Sequence, residues 1–345
     1  MHWHRHENTR QMPWKGEKDP YRIWLSEIIL QQTRVEQGWE YYERFIRCYP
    51  TIADLAAAPE QEVFKLWEGL GYYSRCRNLI HTAGVLMDRF GGRFPRTYEE
   101  ILSLKGVGTY TAAAIASFAF DLPHAVVDGN VIRVLSRISG WEEPVDQPGT
   151  RRKINELAEK LLDRTNPSSY NQAMMDFGAT VCKPQNPLCA SCPMQLICEA
   201  HRLEKVTRIP LKTVKPAKKS RWFYYFLASA GGKVLVRERT GRDIWKNLYE
   251  LVLVESDRSL TDTAIRKHPS IRSWLPAEHT AVEEISALRS QQLTHQHIRG
   301  KFIRISVKKG VKEIPDGYRW VGRKELKLLA FPKYIISYLQ ENRYI

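Results

Sequence analysis

The sequence predicts two domains of different class, a mainly helical domain over residues 1–205 and a smaller α+β domain over 221–345. Three observations predict this division. Apolar residues recur at helical spacing from about residue 20 to 200, and beyond 221 the period changes to that of strands. Between the two lie four cysteines within seventeen residues, followed by a basic, proline-bearing stretch over 206–220 that reads as a linker. A chain of 345 residues is also long for one hydrophobic core.

Asp19-Pro20 opens the first long helix, with an N-capping carboxylate and a proline at the first helical position, and the pattern runs through Leu30. Val131, Val134, Leu135 and Ile138 form the stripe of a second helix. Ile154, Leu157, Ala158, Leu161 and Leu162 form that of a third. Gly91-Gly92 and Pro144 punctuate the helices. Strands are expected over Trp222–Ser229, Lys233–Glu238, Tyr249–Glu255 and Phe302–Lys308, with a closing helix from near Pro332.

Lysine and arginine outnumber aspartate and glutamate 53 to 38, a net charge of +15. That excess favours a polyanionic partner: DNA, RNA or an acidic membrane surface. No apolar run approaches the roughly 20 residues of a membrane helix. The polar start Met1-His2-Trp3-His4 lacks the apolar stretch of a secretory signal. The expectation is a cytoplasmic, monomeric protein, nucleoid-associated if bacterial.

Cys48 and Cys76 read as isolated structural thiols. Cys182, Cys189, Cys192 and Cys198 follow C-x6-C-x2-C-x5-C, a crowding that points to a metal or cluster site. Four thiolates can hold a [4Fe–4S] cube or one tetrahedral zinc. The single C-x2-C pair, where zinc sites more often use two, favours iron–sulfur.

Leu104-Lys105-Gly106-Val107-Gly108-Thr109-Tyr110-Thr111 lies between two helical segments, within about 98–120. Gly106 and Gly108 allow a tight turn and close backbone approach, and the amides opening the next helix suit phosphate. This is the pattern of a helix-hairpin-helix that grips a DNA backbone without reading its sequence.

Two carboxylates stand in contrasting settings. Glu27 lies among apolar neighbours in Ile23-Trp24-Leu25-Ser26-Glu27-Ile28-Ile29-Leu30, where burial would make it hold its proton. Asp128 precedes the Val131 helix, whose N-terminus favours the ionised form. One carboxyl that donates and one that stays anionic is an arrangement used to cleave glycosidic bonds. Taken singly, Asp128 reads as an N-cap and Glu27 as a solvent-facing helix residue. Their company with the hairpin and the cysteines makes the chemical reading the stronger.

In this order, the motifs resemble the endonuclease III superfamily of DNA glycosylases, in its MutY branch. The similar stretches are Met12-Pro13-Trp14, Trp24 to Thr33, Leu66-Trp67-Glu68-Gly69-Leu70-Gly71-Tyr72-Tyr73, the hairpin, Val127 to Val131, Asn171 to Asp176 and the four cysteines. They span about residues 12–200. The resemblance implies a [4Fe–4S] cluster on Cys182, Cys189, Cys192 and Cys198. It implies that Glu27 protonates adenine N7 and that Asp128 stabilises the sugar cation, by charge or a transient covalent bond. Tyr110 and Asn130 would position Asp128 and the reacting centre. Trp14 and Gln172 would line the pocket of the flipped adenine, and Gln31 and Thr33 would contact the DNA substrate. Gln32 and Tyr72 would wedge into the duplex. Tyr110 stands where strand-cutting members carry a Schiff-base lysine, so the resemblance implies a monofunctional glycosylase.

The second domain resembles the nudix-like module of that branch, through Ile244 to Glu250, Tyr318-Arg319-Trp320-Val321 and Phe331-Pro332. It lacks the glutamate run of a magnesium-binding nudix box, so pyrophosphate hydrolysis is not expected. The implied substrate is double-stranded DNA with adenine opposite 8-oxoguanine or guanine. Leu293-Thr294-His295 stands where the branch has a Phe-Ser-His loop, which makes His295 the expected lesion reader, with His297 close behind. Lys246-Asn247 stands where a Gly-Gly turn is usual. The alternatives are an endonuclease III-like glycosylase and lyase for oxidised pyrimidines, or a non-catalytic iron–sulfur DNA-binding protein.

Overall fold

A computed structural model describes residues 1–12, 15–213, 218–272, 280–307 and 314–345. The chain forms two compact units, one of Met1–Ala57 with Arg77–Lys215 and one of Ala58–Cys76 with Pro216–Ile345.

In the first unit, the Pro20–Leu30 helix starts as its sequence dictates. Asp19 accepts a hydrogen bond from the Tyr21 amide at 2.9 Å, and Pro20 occupies the first turn. Every residue from Ile23 to Ile29 is buried, so this is a central helix rather than an amphipathic surface one. It packs on the Thr109–Phe120 helix, whose buried Ala112, Ala113, Ala114 and Ala116 let the two backbones approach closely. The Val131 stripe lies on the Gly129–Ile138 helix; Val131 and Leu135 join Val127, Val145, Ile154 and Ala158 in one core cluster, while Val134 and Ile138 pack with Phe177 and Val181 in another. Burial of each such aliphatic side chain contributes about 1.5–3 kcal/mol. The third expected helix runs from Pro148 to Leu161, and Leu162 caps it in an extended conformation.

The linker expectation needs correction for its first half. Ile209 is buried and joined to Pro210 by a cis peptide bond. The Leu211 carbonyl accepts from the Val145 amide at 3.0 Å, and the Thr213 amide donates to Asp146 at 3.0 Å. This segment is therefore fastened to the helical unit. Residues 214–217, with Lys215 and Pro216, lie outside the described residues.

The second unit is built on an eight-stranded mixed sheet: β1 (Lys219–Ala230), β2 (Lys233–Glu238), β3 (Tyr249–Glu250), β4 (Val252–Ser256), β5 (Thr280–Ile285), β6 (Arg289–Gln292), β7 (Gln296–Val307) and β8 (Tyr318–Gly322). The central pair, β1 and β7, is parallel, with Trp222 opposite Arg299 and Tyr225 opposite Phe302. Strand β7 begins six residues before the expected Phe302, because His297, Arg299 and Lys301 alternate with the buried Ile298 and Gly300 and mask the strand as polar. The expected strand over Tyr249–Glu255 is two, interrupted at Leu251. Pro332 caps the closing Lys333–Glu341 helix, and Tyr338 of that helix stacks on Phe302 at 4.1 Å. Of the Lys246-Asn247 pair, Asn247 takes left-handed backbone at φ 68°, as does the preceding Trp245 at φ 62°.

Ala58–Cys76 belongs to this second unit by direct bonds. Lys65 Nζ donates to the Leu329 carbonyl at 3.1 Å, and the Phe331 amide donates to the half-buried Glu68 carboxylate at 2.8 Å. The compact units therefore do not follow the 1–205 and 221–345 boundaries along the chain.

Candidate active site

A cavity of about 830 Å3 opens in the helical unit. It is lined by Glu27 from the Pro20–Leu30 helix, by Gln31, Gln32 and Thr33 just after it, and by Tyr110 from the first turn of the Thr109–Phe120 helix. Asp128 and Asn130 enter at the start of the Gly129–Ile138 helix, and Gln172 enters from the Pro167–Thr180 helix. Eight residues singled out in the sequence thus share one cavity. Trp14 lies outside the described residues.

Glu27 is 7% exposed. Burial pushes its carboxyl up to about 7, opposed by a hydrogen bond with the Tyr110 hydroxyl and assisted by the nearby charge of Asp128. Burial, with the same two carboxylates, drives the Tyr110 phenol well above its ordinary value. At neutral pH the site therefore holds a carboxyl poised to donate and a phenol that keeps its proton.

Asp128 caps the Gly129–Ile138 helix, accepting from the Val131 amide at 2.8 Å. Asn130 Nδ2 donates to its other oxygen at 2.6 Å. Beside the helix terminus expected to favour its ionised form, burial raises the carboxyl above its ordinary value, and these hydrogen bonds with the charge of Arg133 limit the rise. Asn130 in turn accepts from Arg133 Nη2 at 2.9 Å. Arg133 also donates to the Gly178 carbonyl at 2.7 Å and the Cys182 carbonyl at 2.8 Å. A continuous polar chain thus runs from Asp128 to the backbone of the first cluster cysteine. Gly178 makes the crossing possible, since a Cβ there would lie 2.6 Å from Asn130 Cβ and 2.9 Å from its carbonyl oxygen.

The segment that delivers Asp128 is pinned by buried Asn171. This side chain accepts from the Val126 amide at 3.0 Å and donates to Ser117 Oγ and the His124 carbonyl, both at 2.9 Å. Gln32 stands at the cavity mouth with φ 60°, a left-handed conformation rare for a non-glycine residue.

The hairpin joins the Tyr98–Leu102 and Thr109–Phe120 helices. Gly106 has φ +82° and sits against Asn78, where an added Cβ would meet the side chain at 2.6 Å. Gly108 is extended and faces open space. Thr82 Oγ1 donates to the Lys105 carbonyl at 2.8 Å, fastening the turn. Among the described residues, no side chain caps the amides that open the Thr109–Phe120 helix.

Cys182, Cys189, Cys192 and Cys198 are free and line one small cavity, with Arg137. Arg137 is buried, donates to Cys182 Sγ at 3.4 Å and to the carbonyls of Lys183 and Ile209, and pairs with no carboxylate among the described residues. Among the described residues, no group of three or more His, Cys, Asp or Glu side chains is placed to hold a single metal ion. Cys76 is buried, whereas Cys48 is exposed at the end of the Val35–Cys48 helix.

In the second unit, Tyr72 is exposed, has φ 47°, and shares a 2.8 Å hydrogen bond with Thr294 Oγ1. His295 is exposed at the turn between β6 and β7. His297 is half-buried within β7 and accepts from Arg299 at 3.3 Å.

Sequence reasoning missed Arg133, Arg137, Asn171 and Asp176. The arginine pair left a legible signal: two cations at i and i+4 inside an apolar helix are too costly to bury without assigned partners. Asn171 and Asp176 lie in a stretch that carries the family resemblance, but their bonding roles depend on partners elsewhere in the chain.

Residues 25–163 match the HhH-GPD superfamily of base excision DNA repair proteins, and residues 223–341 match the NUDIX domain. The adenine DNA glycosylase of Buchnera aphidicola subsp. Baizongia pistaciae (strain Bp) is 33% identical over 298 residues, which are 86% of this chain and 81% of that one. The adenine DNA glycosylase of Rattus norvegicus is 44% identical over 211 residues, 59% of this chain and 41% of the longer relative. Among solved structures, a thermostable thymine-DNA glycosylase superposes with a TM-score of 0.54 at 32% identity, over 59% of this chain and 93% of its own. With a helical glycosylase unit, a nudix-like sheet and relatives of this kind matched over most of its length, the chain belongs to the adenine DNA glycosylase family of base excision repair enzymes.

Proposed function

We propose that the chain removes adenine paired with 8-oxoguanine or guanine in double-stranded DNA and leaves an abasic site. The observation that carries this reading is one cavity holding a buried carboxyl with a pKa of about 7, Glu27, and a second carboxylate fixed by a helix terminus, Asp128. Glu27 donates its proton to N7 of a flipped adenine. The C1′–N9 bonding pair then departs with a neutral base. Asp128 faces the positive charge left at C1′. Water adds at C1′, its proton passing to a carboxylate, and the abasic hydroxyl forms.

Tyr110 offers a protonated phenol where a strand-cutting enzyme would carry an amine, which supports base removal with the strand left intact. The uncapped amides after Gly108 suit a DNA phosphate. Gln32 and Tyr72, both held in left-handed backbone, are the residues that enter the duplex. The hydrogen bond from Tyr72 to Thr294 supports a joint role of this residue and the His295 turn in reading the opposite base.

The four cysteines fit a [4Fe–4S] cluster. They line one cavity with buried Arg137, which donates to Cys182 Sγ at 3.4 Å, and their C-x6-C-x2-C-x5-C spacing supports the cluster over zinc. When bound, the cluster supplies no chemistry to base removal and holds the loop over 182–198, with Lys183, in its DNA-facing shape. Glu27→Gln tests the reading: duplex affinity stays and single-turnover excision is lost. Full activity in that variant would remove Glu27 as the acid.

A further inference from the structure

Asp176 lies one turn beyond Gln172 on the Pro167–Thr180 helix, and its side chain is fully buried. Four donors saturate its two oxygens. Oδ1 accepts from Arg10 Nη1 at 3.0 Å and Gln172 Nε2 at 2.9 Å, while Oδ2 accepts from Asn8 Nδ2 at 2.8 Å and Lys15 Nζ at 3.1 Å. Burial alone would raise this carboxyl. Hydrogen bonds from Asn8 and Lys15 and the charges of Lys15 and Arg10 outweigh it and hold the group below its ordinary value. Asp176 is therefore an anion that can only accept.

That fixes the polarity of the Gln172 amide. Its NH2 end is held by Asp176, and the flipped orientation would set two oxygens against each other. Gln172 lines the cavity with Glu27 and Asp128, whereas Asp176 is absent from its lining. Among the described residues, Gln172 Oε1 has no protein partner. The acceptor end of the amide is thus committed to whatever fills the cavity.

We propose that Asp176 is a specificity-determining positioning residue, which orients Gln172 so that the pocket offers an acceptor to the 6-substituent of a purine. A 6-amino base donates to it, and a 6-oxo base meets it oxygen to oxygen. A site built around a buried hydrogen bond discriminates strongly because the wrong ligand leaves a polar group unpaired. The inference rests on the reading of this cavity as the base pocket.

The test uses the full-length protein and two duplexes, with adenine or hypoxanthine opposite the same 8-oxoguanine, under single-turnover conditions. In Asp176→Asn, Lys15 and Asn8 hold the new amide oxygen at the Oδ2 position, and the NH2, now at the Oδ1 position, turns the Gln172 amide around. The adenine-to-hypoxanthine rate ratio then falls about tenfold or more. Gln172→Leu lowers the ratio by itself and makes it insensitive to Asp176→Asn. Equal loss on both substrates, with the ratio kept, overturns the proposal. If Asp176→Asn does not fold, Gln172→Leu decides alone, and an unchanged ratio there overturns it. Wild-type protein that releases neither base would instead remove the base-pocket reading, and the inference with it.

Discussion

Asn130 donates to Asp128 at 2.6 Å while accepting from Arg133 at 2.9 Å, so its amide cannot turn without breaking both bonds. The Asp128 carboxylate is thereby tied, through Asn130, to the same arginine that binds the Cys182 carbonyl. Asn130→Ala should slow excision by about 10- to 100-fold with little change in duplex affinity. Loss of a donor that lowers the Asp128 pKa should also move the acid limb of the pH–rate profile to higher pH. An unchanged acid limb would detach Asn130 from Asp128 ionisation.

The rate should fall as pH rises through about 7, because Glu27 acts while protonated and its carboxyl is pushed up to about 7. Stability follows the same sign. The folded protein binds this proton more tightly than the unfolded chain, so the advantage is complete below the ordinary carboxylate range and is lost as pH rises through about 7. The total is about 3 kcal/mol. Glu27→Gln should therefore stabilise the protein more at pH 9 than at pH 5, as thermal melting at both would show.

Gly178→Ala places a methyl 2.6 Å from Asn130 Cβ and 2.9 Å from its carbonyl oxygen. Backbone gives way poorly, so a loss of about 1–3 kcal/mol is expected, with a matching loss of excision. Denaturant unfolding and single-turnover rates measure the two effects. A variant with full stability would mean that the helix crossing is looser than its geometry indicates.

The purified protein should be brown, absorb near about 400 nm and carry about 4 iron atoms per chain, and each of Cys182→Ser, Cys189→Ser, Cys192→Ser and Cys198→Ser should lose iron. Colourless protein with about one zinc per chain would contradict the cluster assignment.

The helical unit was legible because its signals are local. Asp19-Pro20 caps a helix wherever it stands, and the Val131 stripe is periodic within one element. Glu27 was legible for the same reason, as a charge inside an apolar run. The charge balance at Asp128 was not, because the helix terminus is visible in sequence and the desolvation opposing it comes from residues far along the chain. Arg133 meets Cys182 across 49 positions, and Asp176 meets Arg10 across 166. No period encodes such pairs. Strand β7 was shortened in the reading because its polar face alternates with a buried glycine, and the grouping of Ala58–Cys76 with the sheet depends on bonds from Lys65 and Glu68 to residues beyond 320.

The central claim is acid-assisted adenine removal without strand cleavage, and one single-turnover assay tests it directly. The duplexes carry adenine opposite 8-oxoguanine, adenine opposite guanine, and thymine glycol opposite adenine, each resolved with and without alkali. The account predicts adenine loss from the first two, with strand breaks only after alkali, and no reaction on the third. Strand cleavage of the thymine glycol duplex without alkali would contradict it and place a lyase where Tyr110 has been read as a phenol that only positions and hydrogen-bonds.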